Sequence, residues 1–440
     1  MIITLQQLHS RSITPDSLGP EKRLQLTEGL MEFPRELFEL ADHIEVLDMS
    51  GNNLSELPSD FGRFKNLKIL FLSNNQFDHI PDVIADCPNL EMIGFKSNQI
   101  KTISESALPI KTRWLILTDN QISKLPDSIG QLSRLQKLAL AGNQISSLPD
   151  AMANCRNLEL IRLSANQLEA MPDWLFQLPK LAWLAFSGNP CTAVGQSLAS
   201  KVAEAKLSDI QLLDQIGAGA SGVIHKANWK KEENPIAVKL FKGSVTSDGY
   251  PQDELDCCLA AGGHENLIKV IGFVPDPKQL GLLMELIPNT YSNLGLPPSL
   301  ETCTRDTFED GTKFNVEYIL RVLKQMASTI KHLHQQCVSH GDIYAHNILI
   351  SDESNILFGD FGAATHLVGL PVDQRQGMAW VEVRALANLL EDLLLNIDSG
   401  LSSSDQMRFE GLMSLLLWSR SNNVKTQMGI NEFIERLLAV

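Results

Sequence analysis

The sequence predicts two domains of different fold class, an α/β solenoid built from short repeats and, after it, an α+β domain. Three observations support this prediction. An asparagine recurs about every 23 residues through the first half of the 440-residue chain, ending at Asn189. The period then stops, and residues 196–207 read as a short linker. Beyond them, glycine-, lysine- and aspartate-containing motifs follow in an order that a repeat array does not produce. We therefore predict domains at residues 1–195 and 208–440.

Composition and charge restrict the class of protein. Apolar residues make up 44% of the chain and charged residues 20%, as in folded globular proteins. The net charge of −15 gives no general support for binding nucleic acid. The seven cysteines are odd in number and show no C-x-x-C spacing, so we expect free thiols. Neither a signal peptide nor an apolar run of membrane-spanning length is seen. These features predict a cytoplasmic protein.

The first half repeats one short pattern, seen in segments such as LDMSGNNLSELP and LALAGNQISSLP. One repeat cannot bury the inward face of its short strand alone, so several must stack. A buried asparagine at each turn can satisfy backbone groups left open between neighbouring coils, and we interpret these side chains as structural. A degenerate copy with Gly29 in register is expected to cap an array of about eight repeats. The ladder positions are Asn52, Asn75, Asn98, Asn120, Asn143, Asn166 and Asn189. This half resembles leucine-rich repeat proteins of the 23-residue type.

The concave face of such a solenoid is formed by strand positions two, four and six residues before each asparagine. A contiguous apolar column on one surface usually marks an interaction site, and we expect a protein or peptide partner there. The alternative is that these side chains pack against the second domain or a dimer mate. The apolar members are Val46, Ile69, Phe71, Met92, Trp114, Ile116, Leu160 and Trp183, and the polar members include Asp48, Lys137 and Arg162.

The second half begins with a glycine-rich motif, IGAGASGVIHKA. Its glycines have G-x-G-x-x-G spacing, which alone is weak, because it could equally open a dinucleotide-binding fold. That fold needs a helix directly after the glycines, whereas VIHKANW reads as a returning strand. The strand-like segment PIAVKL then supplies Lys239. The sequence therefore favours a hairpin followed by a lysine-bearing strand.

Further motifs follow in chain order. Glu254 precedes a HENLI segment, and LLMELIP has the character of a hinge around Met284. Apolar residues at 316, 319, 320, 323, 326, 327, 330 and 333 predict an amphipathic helix. HGDIYAHN and FGDFGAAT complete the series. From Ser208 to Val440 the chain resembles a eukaryotic-type protein kinase catalytic domain, which implies a bilobal α+β fold.

That resemblance also implies cofactors and roles. ATP and Mg²⁺ would be the cofactors, with the metal held by Asn347 and Asp360. Asp342 would accept the proton of the attacking hydroxyl, and Lys239 would hold the phosphates while pairing with Glu254. The expected nucleotide contacts are Gly217, Gly219, Gly222, Ile224, Ala237, Lys239, Met284, Glu285 and Ile287.

The sequence departs from the family pattern around Asp342. Gly341 stands where regulated kinases carry an arginine that receives an activation-loop phosphate, and Tyr344 stands where serine/threonine kinases place lysine. The sequence HGD also occurs at this loop in aminoglycoside and choline phosphotransferases. Glu382 comes only 22 positions after Asp360 and sits where the family has a bracing aspartate, and no APE motif lies between them. Thr365 is the only hydroxyl in that interval, so we expect activity independent of phosphorylation there.

These observations lead to an ATP/Mg²⁺-dependent serine/threonine protein kinase joined to a repeat domain that recognises a partner. Two alternatives stay open at this point. A small-molecule phosphotransferase is favoured by HGD and by the short segment after Asp360. A pseudokinase scaffold is disfavoured because Lys239, Asp342, Asn347 and Asp360 are all present.

Overall fold

The computed structural model describes residues 1–193, 202–219, 221–243, 245–246, 248–276, 278–420 and 429–440. By their contacts these residues form two compact units. The first comprises Met1–Arg162 and Asn166–Leu178, and the second comprises Leu163–Ala165 and Pro179–Val440. The last repeat therefore belongs with the second unit, so the division lies earlier in the chain than the predicted linker. Residues 196–201 of that linker lie outside the described residues.

The first unit is a solenoid of short parallel strands, each paired in register with the next. It begins earlier than Gly29, because Ile2–Ile3 already pairs with the strand of the degenerate copy. A short helix, α1 (Leu5–His9), follows that first strand, and α2 (Asp173–Phe176) lies near the end. The strands are β1 (Ile2–Ile3), β2 (Arg23–Leu26), β3 (Val46–Asp48), β4 (Ile69–Phe71), β5 (Met92–Gly94), β6 (Trp114–Ile116), β7 (Lys137–Ala139) and β8 (Leu160–Arg162).

Between the strands, short 3₁₀ turns return the chain to the start of the next coil. The inward strand residues, such as Leu47 and Leu70, are fully buried, as the repeat pattern requires. The turns in the first unit are Pro15–Leu18, Arg35–Leu40, Phe61–Arg63, Asp82–Asp86, Asp127–Gln131 and Asp150–Asn154.

The ladder asparagines hold adjacent coils together. The side-chain oxygen of Asn52 accepts hydrogen bonds from the backbone amides of Glu28 and Leu30, both at 3.0 Å. Its Nδ2 donates to the carbonyls of Leu26 at 2.8 Å and Met49 at 2.9 Å. One side chain therefore makes hydrogen bonds to four backbone groups of two adjacent coils, which is why a buried amide recurs at this position.

The predicted apolar column on the concave face is less exposed than the sequence suggested. Val46, Ile69 and Met92 are buried and pack together, with Phe71 and Trp114 partly buried against them. Neighbouring coils are close enough for these side chains to cover one another, which repeat spacing alone does not reveal. Leu160 and Trp183 are also buried, at 3% and 1% exposure. The expectation of a continuous exposed column is therefore wrong.

The last repeat lies in the second unit and contributes the strand β9 (Trp183–Ala185) and the 3₁₀ turn Pro190–Thr192. The second unit also carries a six-stranded sheet, whose strands are β10 (Ala203–Glu204), β11 (Ile210–Ala218), β12 (Gly222–Trp229), β13 (Ile236–Phe241), β14 (Val270–Asp276) and β15 (Gln279–Glu285). Among the described residues these strands lie in the order β10-β14-β15-β13-β12-β11. The glycine-rich segment forms the predicted antiparallel hairpin of β11 and β12, and Lys239 lies on the next strand.

Helices make up most of the remainder of the second unit. The predicted amphipathic helix is confirmed as α4 (Val316–Gln335), and all eight of its predicted apolar positions are buried. The other helices are α3 (Pro251–Ala261), α5 (Val372–Leu395), α6 (Ser403–Ser419) and α7 (Ile430–Leu438). Short strands frame the loops between them: β16 (Tyr291–Asn293), β17 (Val338–Ser339), β18 (Ile348–Ser351), β19 (Ile356–Phe358) and β20 (Thr365–His366). None of the helices in the described part of the chain is both long and apolar enough to cross a membrane.

The ladder geometry yields a test on neighbouring residues. Asn52→Ala is expected to lower the free energy of unfolding of the solenoid by at least about 3 kcal/mol, because it leaves several buried backbone groups without partners. Asn53→Ala is the matched control, since Asn53 is exposed and its side chain donates one 3.3 Å hydrogen bond to the Gly29 carbonyl; its effect should stay within about 0.5 kcal/mol. Urea denaturation followed by circular dichroism measures both. Equal losses in the two variants would contradict the role given to the ladder.

Candidate active site

A cavity of about 490 Å³ in the second unit is lined by the glycine-rich hairpin, β13, the end of β15 and the segment around Asp360. At Gly222 an added Cβ would lie 2.6 Å from the backbone oxygen of Leu240, so only glycine lets the hairpin approach β13 this closely. All nine residues predicted to contact nucleotide line this cavity: Gly217, Gly219, Gly222, Ile224, Ala237, Lys239, Met284, Glu285 and Ile287. Sequence reasoning did not include Val270 and Leu349, which also line it.

Lys239 lies at one wall of this cavity with two carboxylates nearby. Its Nζ forms a buried ion pair with Glu254 Oε1 and lies 3.8 Å from Asp360 Oδ1. The pairing arises because β13 and α3 place the two side chains on facing surfaces. Burial lowers the pKa of Lys239, but the attraction of Glu254 and Asp360 outweighs it and raises the pKa above 10.5. Lys239 therefore stays protonated and presents a fixed positive charge to the cavity.

The loop from His340 to Asn347, called the catalytic loop below, holds Asp342 beside Asn347. The Nδ2 of Asn347 donates to Asp342 Oδ2 at 2.9 Å and to the Asp342 carbonyl at 3.1 Å. A 3₁₀ turn over Ala345–Asn347 folds the loop back so that residues five apart can meet. Asn347 lines the cavity, whereas Asp342 is half-buried beside it. The carboxylate thus has a set orientation and remains partly accessible.

Asp360 and Asn347 both line the cavity and offer oxygen ligands, which Mg²⁺ prefers. Asn347 uses its amide nitrogen on Asp342, so its carbonyl oxygen is the atom suited to a cation. The side chain of Asp360 is 59% exposed. Within the described ranges no group of three or more His, Cys, Asp or Glu side chains could hold a metal. Two oxygen ligands are enough for Mg²⁺ only where phosphate oxygens complete its coordination, as is common for this ion.

A buried carboxylate on α5 anchors the start of the catalytic loop. Glu382 is fully buried, and its Oε1 accepts from the backbone amides of His340 at 2.6 Å and Gly341 at 2.9 Å. Its Oε2 pairs with His334 Nε2 at 2.5 Å. Burial raises the pKa of Glu382, but these hydrogen bonds outweigh it and leave the pKa below 4.5. The carboxylate is therefore ionised and fixes two successive backbone amides.

The same loop is linked to the segment that carries Asp360. The Nε2 of His340 donates to the Gly359 carbonyl at 2.9 Å, and its ring stacks on Phe358 with centroids 4.0 Å apart. Burial lowers the pKa of His340, so the ring stays neutral and can keep this geometry. The hydrogen bond between His340 and Gly359 therefore links the segment that carries Asp342 to the segment that carries Asp360.

Asp306 is a buried residue that holds the catalytic loop and that sequence reasoning missed. Its Oδ2 accepts from the amides of Ala345 at 2.5 Å and His346 at 3.3 Å. Its Oδ1 lies 2.7 Å from His346 Nδ1. Burial lowers the pKa of His346, but Asp306 outweighs it and raises the pKa above 6.5. Asp306 belongs to no recognisable motif, because it lies in an irregular segment before α4. Its contacts with the loop arise only from the folded structure.

Tyr344, where the sequence departs from the family, and Thr365, the hydroxyl between Asp360 and Glu382, are both buried. Tyr344 is 4% exposed and stacks on Trp183, with ring centroids 4.5 Å apart and planes inclined by 5°. Thr365 is fully buried, and its Oγ1 accepts from the amide of Phe186 at 3.2 Å. A phosphate could not be added at Thr365 without opening this packing. The concave position of Trp183 thus packs against the catalytic unit, which is the alternative that the sequence left open.

Comparison with known families gives a different family for each half of the chain. Residues 210–380 match the family described as protein kinase domain, and residues 42–100 and 110–168 match the family described as leucine rich repeat. The kinase match covers the cavity, the catalytic loop and Asp360. The repeat matches lie within the solenoid.

Individual relatives are similar over somewhat more than a third of the chain. The chain is 31% identical over 176 residues to a protein named cytokinesis protein sepH of Aspergillus terreus, covering 40% of this chain and 12% of that protein. It is 28% identical over 156 residues to L-type lectin-domain containing receptor kinase IX.2 of Arabidopsis thaliana, covering 34% and 21%. It is 26% identical over 182 residues to serine/threonine-protein kinase PSK2 of Saccharomyces cerevisiae, covering 38% and 15%. The chain thus spans only a small part of the length of these relatives.

The anchor at Glu382 gives a prediction with a definite pH dependence. Its lowered pKa means that its charge contributes stability above pH 4.5, and that this contribution is lost as pH falls through the lowered pKa. Glu382→Gln should cost about 1–3 kcal/mol in the unfolding of the second unit at pH 7, because two buried amides lose a charged acceptor. It should also show a smaller further loss in acid than the wild type.

Glu353→Gln is the control for this prediction, since Glu353 is exposed on the same unit. Urea denaturation followed by tryptophan fluorescence at pH 7 and at pH 4 provides the measurement. If Glu382→Gln unfolds like the wild type at both pH values, the carboxylate does not anchor the loop.

Proposed function

Since the chain joins leucine-rich repeats to a protein kinase domain, we propose that it transfers the terminal phosphoryl group of ATP to a serine or threonine hydroxyl of a protein. The observation that carries the proposal is the convergence of the Lys239–Glu254 pair, the Asp342–Asn347 pair and Asp360 around one part of the second unit. A single lysine on the surface or a single aspartate in a turn would not by itself support this function.

In this proposal the residues act mainly by position and charge. The glycine-rich hairpin covers the polyphosphate with backbone amides, and Lys239, kept protonated by Glu254, neutralises phosphate oxygens. The oxygens of Asp360 and Asn347 would hold Mg²⁺, which supplies further neutralisation of phosphate charge when it is bound. Asp342, oriented by Asn347, accepts a hydrogen bond and then the proton from the attacking hydroxyl.

A small-molecule phosphotransferase is the second candidate, and one observation favours it. The helix α5 starts at Val372, twelve residues after Asp360, which leaves little chain between them to dock a peptide. The similarity to serine/threonine-protein kinase PSK2 supports a protein substrate instead. We therefore propose a protein substrate first, and the kind of acceptor that becomes labelled distinguishes the two candidates.

For the repeat domain we propose a protein or peptide partner on the concave face, and for the whole chain a cytoplasmic location. Support for the partner comes from Phe71, Trp114 and Ile116, which lie on the concave strands and keep partial exposure. The Nζ of Lys137 lies 4.2 Å from the centre of the Trp114 ring, a cation–aromatic pair typical of binding surfaces. We also propose a role in signalling, in which binding of the partner is coupled to phosphorylation of the substrate.

The experiment incubates the purified full chain with labelled ATP and Mg²⁺. Protein, peptide and small-alcohol acceptors are offered in separate arms. We expect label on serine or threonine, and a fall of at least about 100-fold in Asp342→Asn, because general-base catalysis is worth roughly that much. Asp342→Asn should still bind ATP, since Asp342 does not line the cavity. Asp360→Ala should lose the Mg²⁺-dependent part of ATP binding in calorimetry.

Asp352→Asn is the control, because Asp352 is an exposed aspartate in a turn after β18; it should transfer phosphate like the wild type. Label found only on small alcohols would favour the second candidate. ATP binding without any transfer in the wild type, or equal transfer by Asp342→Asn, would overturn the proposal.

A further inference from the structure

The last repeat coil, Leu181–Gly188, called the terminal coil below, lies in the second unit and touches several parts of the catalytic apparatus. Trp183 is 1% exposed and donates from Nε1 to the carbonyl of Ile343 at 3.0 Å, directly after Asp342. Its ring lies flat on Tyr344. A residue at a concave strand position of a repeat thus contacts two successive residues of the catalytic loop, Ile343 and Tyr344.

The backbone of the terminal coil also occupies the space beside Gly341. A Cβ at position 341 would lie 2.8 Å from the Leu184 oxygen and 2.5 Å from the Ala363 oxygen. The φ of Gly341 is +74°, a conformation that other residues adopt only with strain. An arginine at this position would therefore displace the coil. The glycine in HGD is explained by the close approach of two chain segments.

Two hydrogen bonds fasten the coil at either end of this contact. The amide of Phe186 donates to Thr365 Oγ1 at 3.2 Å, and Thr365 lies on β20, which pairs with β17 just before the catalytic loop. The Nε of Arg384, on the same helix as Glu382, donates to the Leu181 carbonyl at 2.6 Å. Both side chains are buried, so these bonds are shielded from water.

The end of the coil reaches the helix that carries Glu254. A Cβ at Gly188 would lie 2.5 Å from Asp253 Oδ2 and 2.8 Å from the Tyr250 ring, so the coil packs against the first turn of α3. Glu254 is the next residue along that helix and pairs with Lys239. The coil therefore touches both the catalytic loop and the helix that supplies the partner of Lys239.

We infer that the terminal coil is a permanent positioning element of the phosphotransfer site, and that Trp183 positions Asp342 through Ile343 and Tyr344. The inference rests on the proposed function and deepens it. In regulated kinases a phosphorylated activation segment orders the same region. Here the coil fills the place beside Gly341, and Thr365 is buried beneath it. The terminal coil thus holds the site together, and the site needs no phosphate on the segment after Asp360.

The test uses the full chain with Trp183→Ala, Trp183→Phe and the control Trp174→Ala. Trp174 is a half-buried tryptophan of the solenoid whose indole donates to Asp150 at 3.2 Å. We expect Trp183→Ala to lower kcat at least tenfold, about 1.4 kcal/mol of transition-state stabilisation. KM for ATP should stay within about twofold, because Trp183 does not line the nucleotide cavity. Trp183→Phe keeps a stacking ring and should recover part of kcat.

A second measurement does not depend on activity. Hydrogen–deuterium exchange of peptides covering residues 338–350 should speed up at least tenfold in Trp183→Ala and stay unchanged in Trp174→Ala. If the wild type transfers no phosphate, the proposed function fails, and the exchange result still decides whether the coil orders the loop. Unchanged kcat and unchanged exchange in Trp183→Ala overturn the inference. A parallel loss of kcat in Trp174→Ala overturns it too, because the effect would then be general destabilisation.

Discussion

The catalytic loop of the second unit is anchored by a buried interaction, in which the carboxylate of Glu382 accepts hydrogen bonds from the backbone amides of His340 and Gly341. A charged group without water is costly unless it is fully hydrogen-bonded, and here two amides and His334 supply the partners. The arrangement fixes the direction in which the chain enters the catalytic loop. From that point His340 connects to Gly359, so the loop and the segment bearing the candidate metal ligand share one anchor.

Contacts from other parts of the chain fix the rest of the loop. Asp306 holds its far end, and Trp183 covers its middle. Each of these contacts is buried and satisfied, so the loop has little freedom to rearrange. A kinase that is activated by phosphorylation needs the opposite, an activation segment that stays disordered until its phosphate forms an ion pair with an arginine. The packing around Gly341 leaves no space for such an arginine, and it is the basis for our inference that the constraint on the loop is constant.

The sequence was informative wherever a pattern is local. Asparagine spacing predicted the solenoid register, the glycines predicted the hairpin, and apolar periodicity predicted α4. It was wrong about the exposure of the concave face, because strand alternation says which way a side chain points but not what lies against it. Trp183 meets Ile343 across 160 residues of sequence, and Asp306 reaches Ala345 across 39. No short motif encodes contacts of that separation, since they exist only once the domains have folded.

The central claim is that the last repeat is a constant part of the catalytic unit. The most direct measurement is hydrogen exchange of the Trp183 indole proton, followed by NMR in protein labelled with ¹⁵N-tryptophan and free of nucleotide and phosphate. The claim predicts that this proton exchanges far more slowly than that of Trp174, whose hydrogen bond to Asp150 lies at the surface, and that phosphatase treatment leaves its rate unchanged. Exchange of the two indole protons at similar rates would contradict the claim.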